Sequence, residues 1–361
     1  MNSESSLEKL YNGRFKKILL FTAVICIITL IISVYALSVS QYPMGFLESY
    51  DIFIKHLQGA TYDRMTDYDM WIKDISVWDQ NVPRILGCIM VGATLAVGGA
   101  LMQSTVQNPL ADPYTTGIAS GALFGVSLFI VYGFTLPFGL PDEIAMISSA
   151  FAFAMIPTAV IILVTIFKKS RITPTSMILA GIGTMYVFSA ASSIIRFSAD
   201  VNAAQSVYEW TVGSVGRVRI DDLPIILVAC VVLLVFAMIY SKTVDALSEG
   251  DNISISLGVD PKRSRLICLV MISLCTATIV CYVGTIGFVG LICPHIARAF
   301  TGSASKYLIP VSALIGMFML LVCDCIAKQI TLTGLPVGVI TGIIGAPIFV
   351  LILIKQRRES F

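Results

Sequence analysis

Apolar residues in this chain neither alternate with polar ones nor keep to one helical face. They come in blocks broken by short polar turns. An α-helix rises about 1.5 Å per residue, so about 20 apolar residues cross the roughly 30 Å hydrocarbon core of a bilayer. Blocks of that kind fall at residues 18–38, 85–105, 114–134, 144–167, 175–196, 222–240, 264–284, 285–297, 307–328 and 337–355. The eighth is short and follows directly on the seventh. The pattern predicts an all-α membrane protein of about ten transmembrane helices, a single transmembrane domain over residues 1–361 with both termini on one side. Gly and Pro recur inside the blocks (Gly98, Gly99, Pro157, Gly181, Gly183, Gly287, Gly290, Gly342, Gly345). Small residues let helices approach closely in a bilayer, and Pro is tolerated there.

Composition agrees with the pattern. The chain is 57% hydrophobic and 13% charged, with a mean hydropathy of +0.88. A soluble domain carries roughly 25% charge, so lipid must cover much of this exterior. The formal net charge of +2 gives no reason to expect a nucleic-acid partner. The nine cysteines lie in or beside apolar runs, as small hydrophobes do. Cys323 and Cys325 lack the second ligand pair that a zinc site needs, so no metal site is expected. Lys9, Arg14, Lys16 and Lys17 precede the first block, which exceeds the roughly 7–15 apolar residues of a signal peptide and reads as a retained helix behind a tail, 1–17.

Charge orients the spans. Of the 24 Lys and Arg, 16 fall on the side of the termini and eight on the other. The positive-inside rule therefore places both termini in the cytoplasm. The first external loop, about 39–83, is long and acidic (Glu48, Asp51, Asp63, Asp67, Asp69, Asp74, Asp79), and Trp71 and Trp78 near its end read as interfacial anchors. A second external stretch, 197–221, contains a candidate surface helix at 206–215. The largest cytoplasmic loop, 241–263, contains another short candidate at 246–256.

Catalytic chemistry has little to work with. The two histidines are His56, in the acidic loop, and His295, at the end of a span. No nucleophile elbow, zinc-protease motif or phosphate-binding loop occurs, so the chain is read as a non-enzyme with no cofactor of its own. Asp324 is the one deeply placed carboxylate. An intramembrane acid is a functional candidate, but a helix-packing hydrogen bond, or a pairing with Lys328 one turn away, is the simpler reading. Ion-coupled transport usually needs several such groups, which points to an energy source on another subunit. A secondary transporter driven by an ion gradient, with Asp324 as its acid, is the alternative. A membrane-embedded enzyme would need clustered His or Asp, which the chain lacks.

Three segments stand out. The first joins Val82-Pro83-Arg84 to Gly92, Gly99 and Gln103, then Asn108-Pro109 and Asp112-Pro113. The second runs from Gly284 through Gly290 to Pro294-His295 and Arg298. The third is Leu335-Pro336-Val337-Gly338 with Gly345-Ala346-Pro347. Polar breakers at helix ends imply turned backbone, which survives at membrane depth only inside protein or beside an aqueous cavity. In these motifs, from about Pro83 to the C-terminus, the chain resembles the FecCD-type permeases, the membrane subunits of ATP-binding-cassette importers for iron-siderophore complexes, haem and cobalamin.

The resemblance implies the type II importer permease architecture in the cytoplasmic (inner) membrane. It implies a homodimer, or a pair with a closely related permease, around a central pathway. Two cytoplasmic ATPase subunits, which hold the ATP and Mg, and an external substrate-binding protein complete the assembly. Iron-siderophore is the expected cargo, with cobalamin, haem or molybdate as other members of the range. By position, Leu247–Gly258 resembles the segment that docks on the ATPase: Gly250, Leu257 and Gly258 match, and Asp251 stands where Glu is common. Arg84 and Lys328 resemble basic residues that meet acidic knobs on the binding protein, and Asn81 stands where some relatives carry Arg. Thr173 and Thr175 fall at the cytoplasmic gate, with Pro174 departing from the usual small polar residue. The first 80 residues match the family less well.

Overall fold

The computed structural model describes residues 2–40, 42–137, 139–167, 174–331 and 334–359. Among them there is no β-strand, and the ten expected spans are all present as helices: α1 (Asn2–Ser38), α4 (Val82–Thr105), α5 (Ile118–Tyr132), α6 (Asp142–Phe167), α7 (Pro174–Ser198), α9 (Leu223–Ser248), α11 (Pro261–Val283), α12 (Val289–Thr301), α13 (Ser305–Ile330) and α14 (Val337–Glu359). Four shorter helices lie between them: α2 (Phe46–Leu57), α3 (Tyr68–Ile75), α8 (Val201–Thr211) and α10 (Asp251–Ser256). Seven helices among the described residues are long and apolar enough to cross a membrane unaided. At 13 residues α12 reaches only about 20 Å and depends on its neighbours for its place.

Small side chains decide the packing. Buried along nearly its whole length, α4 forms the hub and packs against α9, α11, α12 and α13. Gly92 faces Gly316 of α13, where a Cβ would come within 2.4 Å of the Gly316 carbonyl oxygen. Gly99 faces Gly290 of α12, where a Cβ would lie 1.7 Å from the carbonyl oxygen. With lipid as solvent, helices gain from such close backbone contact rather than from hydrophobic burial. A second group, α5, α6 and α7, packs on α11 through α6 and α5.

Boundaries differ from the sequence expectation where local chemistry intervenes. The acidic stretch 39–83 is no open loop: it holds α2 and α3, and α3 continues through a wide π turn (Ser76–Asn81) into α4. That turn falls just before Pro83, which has no N–H to continue the regular ladder. The eighth span starts at Val289 rather than 285, because Gly284 (φ 73°) and Phe288 (φ 70°) both take left-handed backbone and break the helix between them. The surface helix expected at 206–215 is α8, ending at Thr211, after which the chain is extended. In the 241–263 stretch, α9 continues to Ser248 and the short helix is α10 alone.

Candidate functional site

The bundle has two ends, one carrying α10 and the other α2. At the first, α9 runs out of the apolar zone and turns sharply at Gly250, whose φ of 108° suits only glycine. Within the six-residue α10 that follows, Ser254 is buried and its hydroxyl donates to the carbonyls of Ala246 (2.8 Å) and Gly250 (2.9 Å). Leu247 is fully buried beneath it. Gly258 (φ 78°) reverses the chain, and the Asp260 carboxylate caps α11 by accepting from the N–H groups of Lys262 and Arg263. Ile253 and Ile255 of α10, and Leu257 just past its end, are 47%, 58% and 65% exposed. Completely burying such a side chain contributes roughly 1.5–3 kcal/mol, so this apolar patch has a partner's worth of burial to gain.

Two struts tie the α9–α10 corner to the hub. Arg265 of α11 is buried, donates from Nε to the Thr105 carbonyl at the end of α4 (2.9 Å), and forms an ion pair with Asp251 of α10 at 2.6 Å. Gln107, held at φ 52°, donates from Nε2 to the Leu247 carbonyl (2.6 Å). Asp245 of α9 accepts from the Ser305 N–H at the start of α13 (2.8 Å). A cleft of about 260 Å³ opens beside them, between Gln103, Asn108, Pro109, Glu249 and Arg298.

The motif residues meet along the seam of α4 and α12. Pro294 has no N–H for the Gly290 carbonyl one turn back. Gln103 reaches across instead, its Nε2 donating to the carbonyls of Leu291 (3.1 Å) and Gly290 (3.4 Å). Arg298 in turn donates to Gln103 Oε1 (3.2 Å). His295 places Nδ1 2.9 Å from the Leu291 carbonyl, so the ring proton sits on Nδ1. The Asn108 side chain accepts from the Leu110 N–H (2.9 Å) and turns the chain back toward the bundle. Toward the α2 end a second junction forms from backbone hydrogen bonds, with the Thr285 hydroxyl donating to the Thr211 carbonyl beside them: Gly213 donates to the Thr285 carbonyl (3.1 Å) and Gly338, two residues after Pro336, donates to the Gly213 carbonyl (2.9 Å). The second and third motifs thus meet the stretch after α8.

The α2 end overturns one expectation. Arg84 and Lys328, expected on a docking surface, turn inward. Arg84 Nε donates to both carboxylate oxygens of Asp324 at 2.8 and 2.9 Å. The Lys328 side chain is 3% exposed, donates to the Asn81 amide oxygen (2.7 Å) and lies 3.8 Å from Asp324. Asn81 donates onward to the Leu37 carbonyl (2.9 Å). The physical reason is Asp324, buried on the same helix: a carboxylate in that setting needs cations beside it. The group latches α1, α4 and α13 together, and Asp324, the acid on which the ion-gradient alternative rested, is paired.

The acidic stretch is likewise paired within itself. Lys73 bridges Glu48 (2.7 Å) and Asp69 (2.6 Å), His56 meets Asp74 (2.8 Å) and stacks on Trp78, and Lys55 pairs with Asp51. The Lys73 hydrogen bonds hold both the Glu48 and the Asp69 carboxyl below the usual range, and the same two bonds raise the Lys73 ammonium. Trp78, expected as an interfacial anchor, packs against Phe53 and His56. Trp71 lies under the Arg64 guanidinium, 5.2 Å from its centre.

Thr175 is exposed at the start of α7, while Thr173 lies outside the described residues. Arg265, Gln107 and Gly213 were missed from the sequence. Arg265 could have been found as an arginine four places inside an apolar span, a position that demands a partner. No pattern marks the other two.

Residues 25–355 match the model of the FecCD transport family. The chain is 35% identical over 358 residues to a Methanocaldococcus jannaschii protein named as an ABC transporter permease, MJ0087, covering 97% of this chain and 98% of that one. It is 32% identical over 283 residues to a Helicobacter pylori permease named for an iron chelatin transport system, covering 78% and 83%. Among solved structures, a chain described as an inward-facing conformation of a metal-chelate type ABC transporter superposes with a TM-score of 0.77 at 25% identity, covering 93% and 99%.

Proposed function

The chain belongs to the FecCD transport family, and from that premise we propose that it is the membrane permease subunit of an ATP-binding-cassette importer that carries a metal chelate, an iron-siderophore complex, into the cytoplasm. In this reading the α10 end faces the cytoplasm with both termini, as the excess of basic residues on that side favours. Two copies enclose the pathway, two ATPase subunits dock beneath them, and a substrate-binding protein delivers cargo at the α2 end. The permease itself holds no nucleotide and no metal.

The observation that carries the proposal is the apolar patch on α10. Ile253 and Ile255 on the six-residue α10 and Leu257 directly after it are about half exposed or more; Arg265 braces α10 to the central helix, and Gln107 holds the end of α9 just before it. A loose loop could bind a partner but could not pass on its movement. A braced lever can do both, which suits a machine that alternates between two arrangements.

The test is reconstitution of the permease with its ATPase and binding protein in proteoliposomes, reading ATP-dependent uptake of a radiolabelled ferric siderophore. Ile255→Asp with Leu257→Asp alters only exposed side chains. The variant is expected to insert normally, lose co-purification with the ATPase and lose uptake. Normal assembly of the double variant would remove α10 as the docking element, and uptake of cobalamin but not ferric siderophore would reassign the cargo.

A further inference from the structure

From the geometry of α2 we infer that this helix lies in the membrane–water interface, its outer face immersed among lipid acyl chains on the flank of α1. The helix has three faces. Ser49, Ile52, Phe53 and His56 turn inward, Ser49 and Ile52 buried and the last two rings packed against Trp78. Glu48, Asp51 and Lys55 form a charged face, with Lys55 paired to Asp51 at 2.6 Å. The third face, at spacings of one, three, four and three residues, holds Phe46, Leu47, Tyr50, Ile54 and Leu57. Leu47 is 81% exposed and Leu57 61%, with Phe46 and Ile54 near one half. A helix with separate charged and apolar outer faces is built for a boundary, not for bulk water.

Depth is set by one hydrogen bond. The Tyr50 hydroxyl donates to the Val34 carbonyl at 2.5 Å. Val34 lies four residues inside the end of α1, about 6 Å along the helix axis. The apolar face of α2 therefore begins below the rim of a transmembrane helix. Through the Tyr50–Val34 contact it adjoins the exposed side chains of Leu30, Ile31 and Val34 on α1, in a span whose hydropathy suits the bilayer interior. This adjacency selects lipid over a protein occupant. The internal pairing of Glu48, Asp51 and Asp69 with Lys73 and Lys55 removes much of the repulsion that free acids would feel from anionic headgroups. The acidic stretch is thus, over α2 (Phe46–Leu57), a membrane-surface element.

The inference needs only the chain in a bilayer, without ATPase or cargo. Spin labels are placed singly at Leu47→Cys, Ile54→Cys and Leu57→Cys, and at Asp51→Cys and Lys55→Cys as controls. A Cys26→Ser background is used, since Cys26 is exposed and the other eight cysteines are buried. The protein is reconstituted in phosphatidylcholine–phosphatidylglycerol vesicles, and collision rates with oxygen and with a water-soluble nickel chelate are compared. Oxygen concentrates in hydrocarbon, so the oxygen-to-nickel ratio at 47, 54 and 57 is expected to exceed that at 51 and 55 severalfold. High nickel collision at all five positions would overturn the inference in favour of a solvated helix. Low collision with both reagents at 47, 54 and 57 would overturn it in favour of a protein face, a second copy of the chain.

Discussion

Asp324 and Lys328 stand one turn apart on α13, yet the strongest partner of Asp324 is Arg84, 240 residues away in sequence. The sequence reading paired the neighbours and sent Arg84 outward. Both choices were reasonable from spacing alone, because an i, i+4 pair can be read from one helix while a contact between α4 and α13 cannot. In the folded chain Lys328 faces Asn81 and its charge supports Asp324 from 3.8 Å. Removing one member of such a group leaves a buried charge with too little compensation, at a cost of about 3–5 kcal/mol. Arg84→Ala is therefore expected to lower the thermal unfolding midpoint of the reconstituted protein markedly. Arg84→Met combined with Asp324→Leu and Lys328→Met should recover most of that loss, because only the removal of all three leaves no charge stranded. An unchanged midpoint in the single variant, measured by scanning calorimetry in nanodiscs, would remove the latch from the stabilising interactions.

At the scale of elements, α10 illustrates what a segment match conveys and what it omits. Gly250 and Gly258 were legible only through the resemblance; the structure supplies the physical reason, since both take left-handed backbone, which glycine adopts without strain. Asp251 was legible only as a position; its ion pair with Arg265 was not, since Arg265 sits 14 residues on, in the next helix. That pair and the bond from Arg265 to the Thr105 carbonyl make one side chain the bridge between α10, α11 and α4. Arg265→Gln keeps a donor for Thr105 but removes the charge that meets Asp251. On the proposed function, the variant is expected to assemble with the ATPase and hydrolyse ATP while importing severalfold less cargo per ATP. A purely structural role would reduce assembly, hydrolysis and uptake together. The stoichiometry of uptake to hydrolysis in proteoliposomes separates the two.

Across the whole molecule, the number and order of spans were legible because bilayer thickness imposes a length that no soluble context imitates. What escaped was everything made by folding back on itself. The 39–83 stretch looked like a loop because α2 and α3 are too short and too mixed to register as spans, and their stability comes from Lys73, His56 and Trp78 meeting across them. The kinked start of α12 was blurred because the left-handed Phe288 has no residue signature. One whole-chain inference from sequence gains strength: Asp324, the intramembrane acid that an ion-coupled mechanism would use, is held by Arg84 and Lys328. A proton or sodium ion would have to displace two cations to reach it. Uptake is therefore expected to survive collapse of the proton and sodium gradients by ionophores, provided ATP is present on the α10 side, and to stop when the partner ATPase carries a hydrolysis-blocking substitution. Uptake that collapses with the ionophore while ATP remains would mean that an ion gradient drives this chain after all, and that the Arg84–Asp324 pair opens during each cycle.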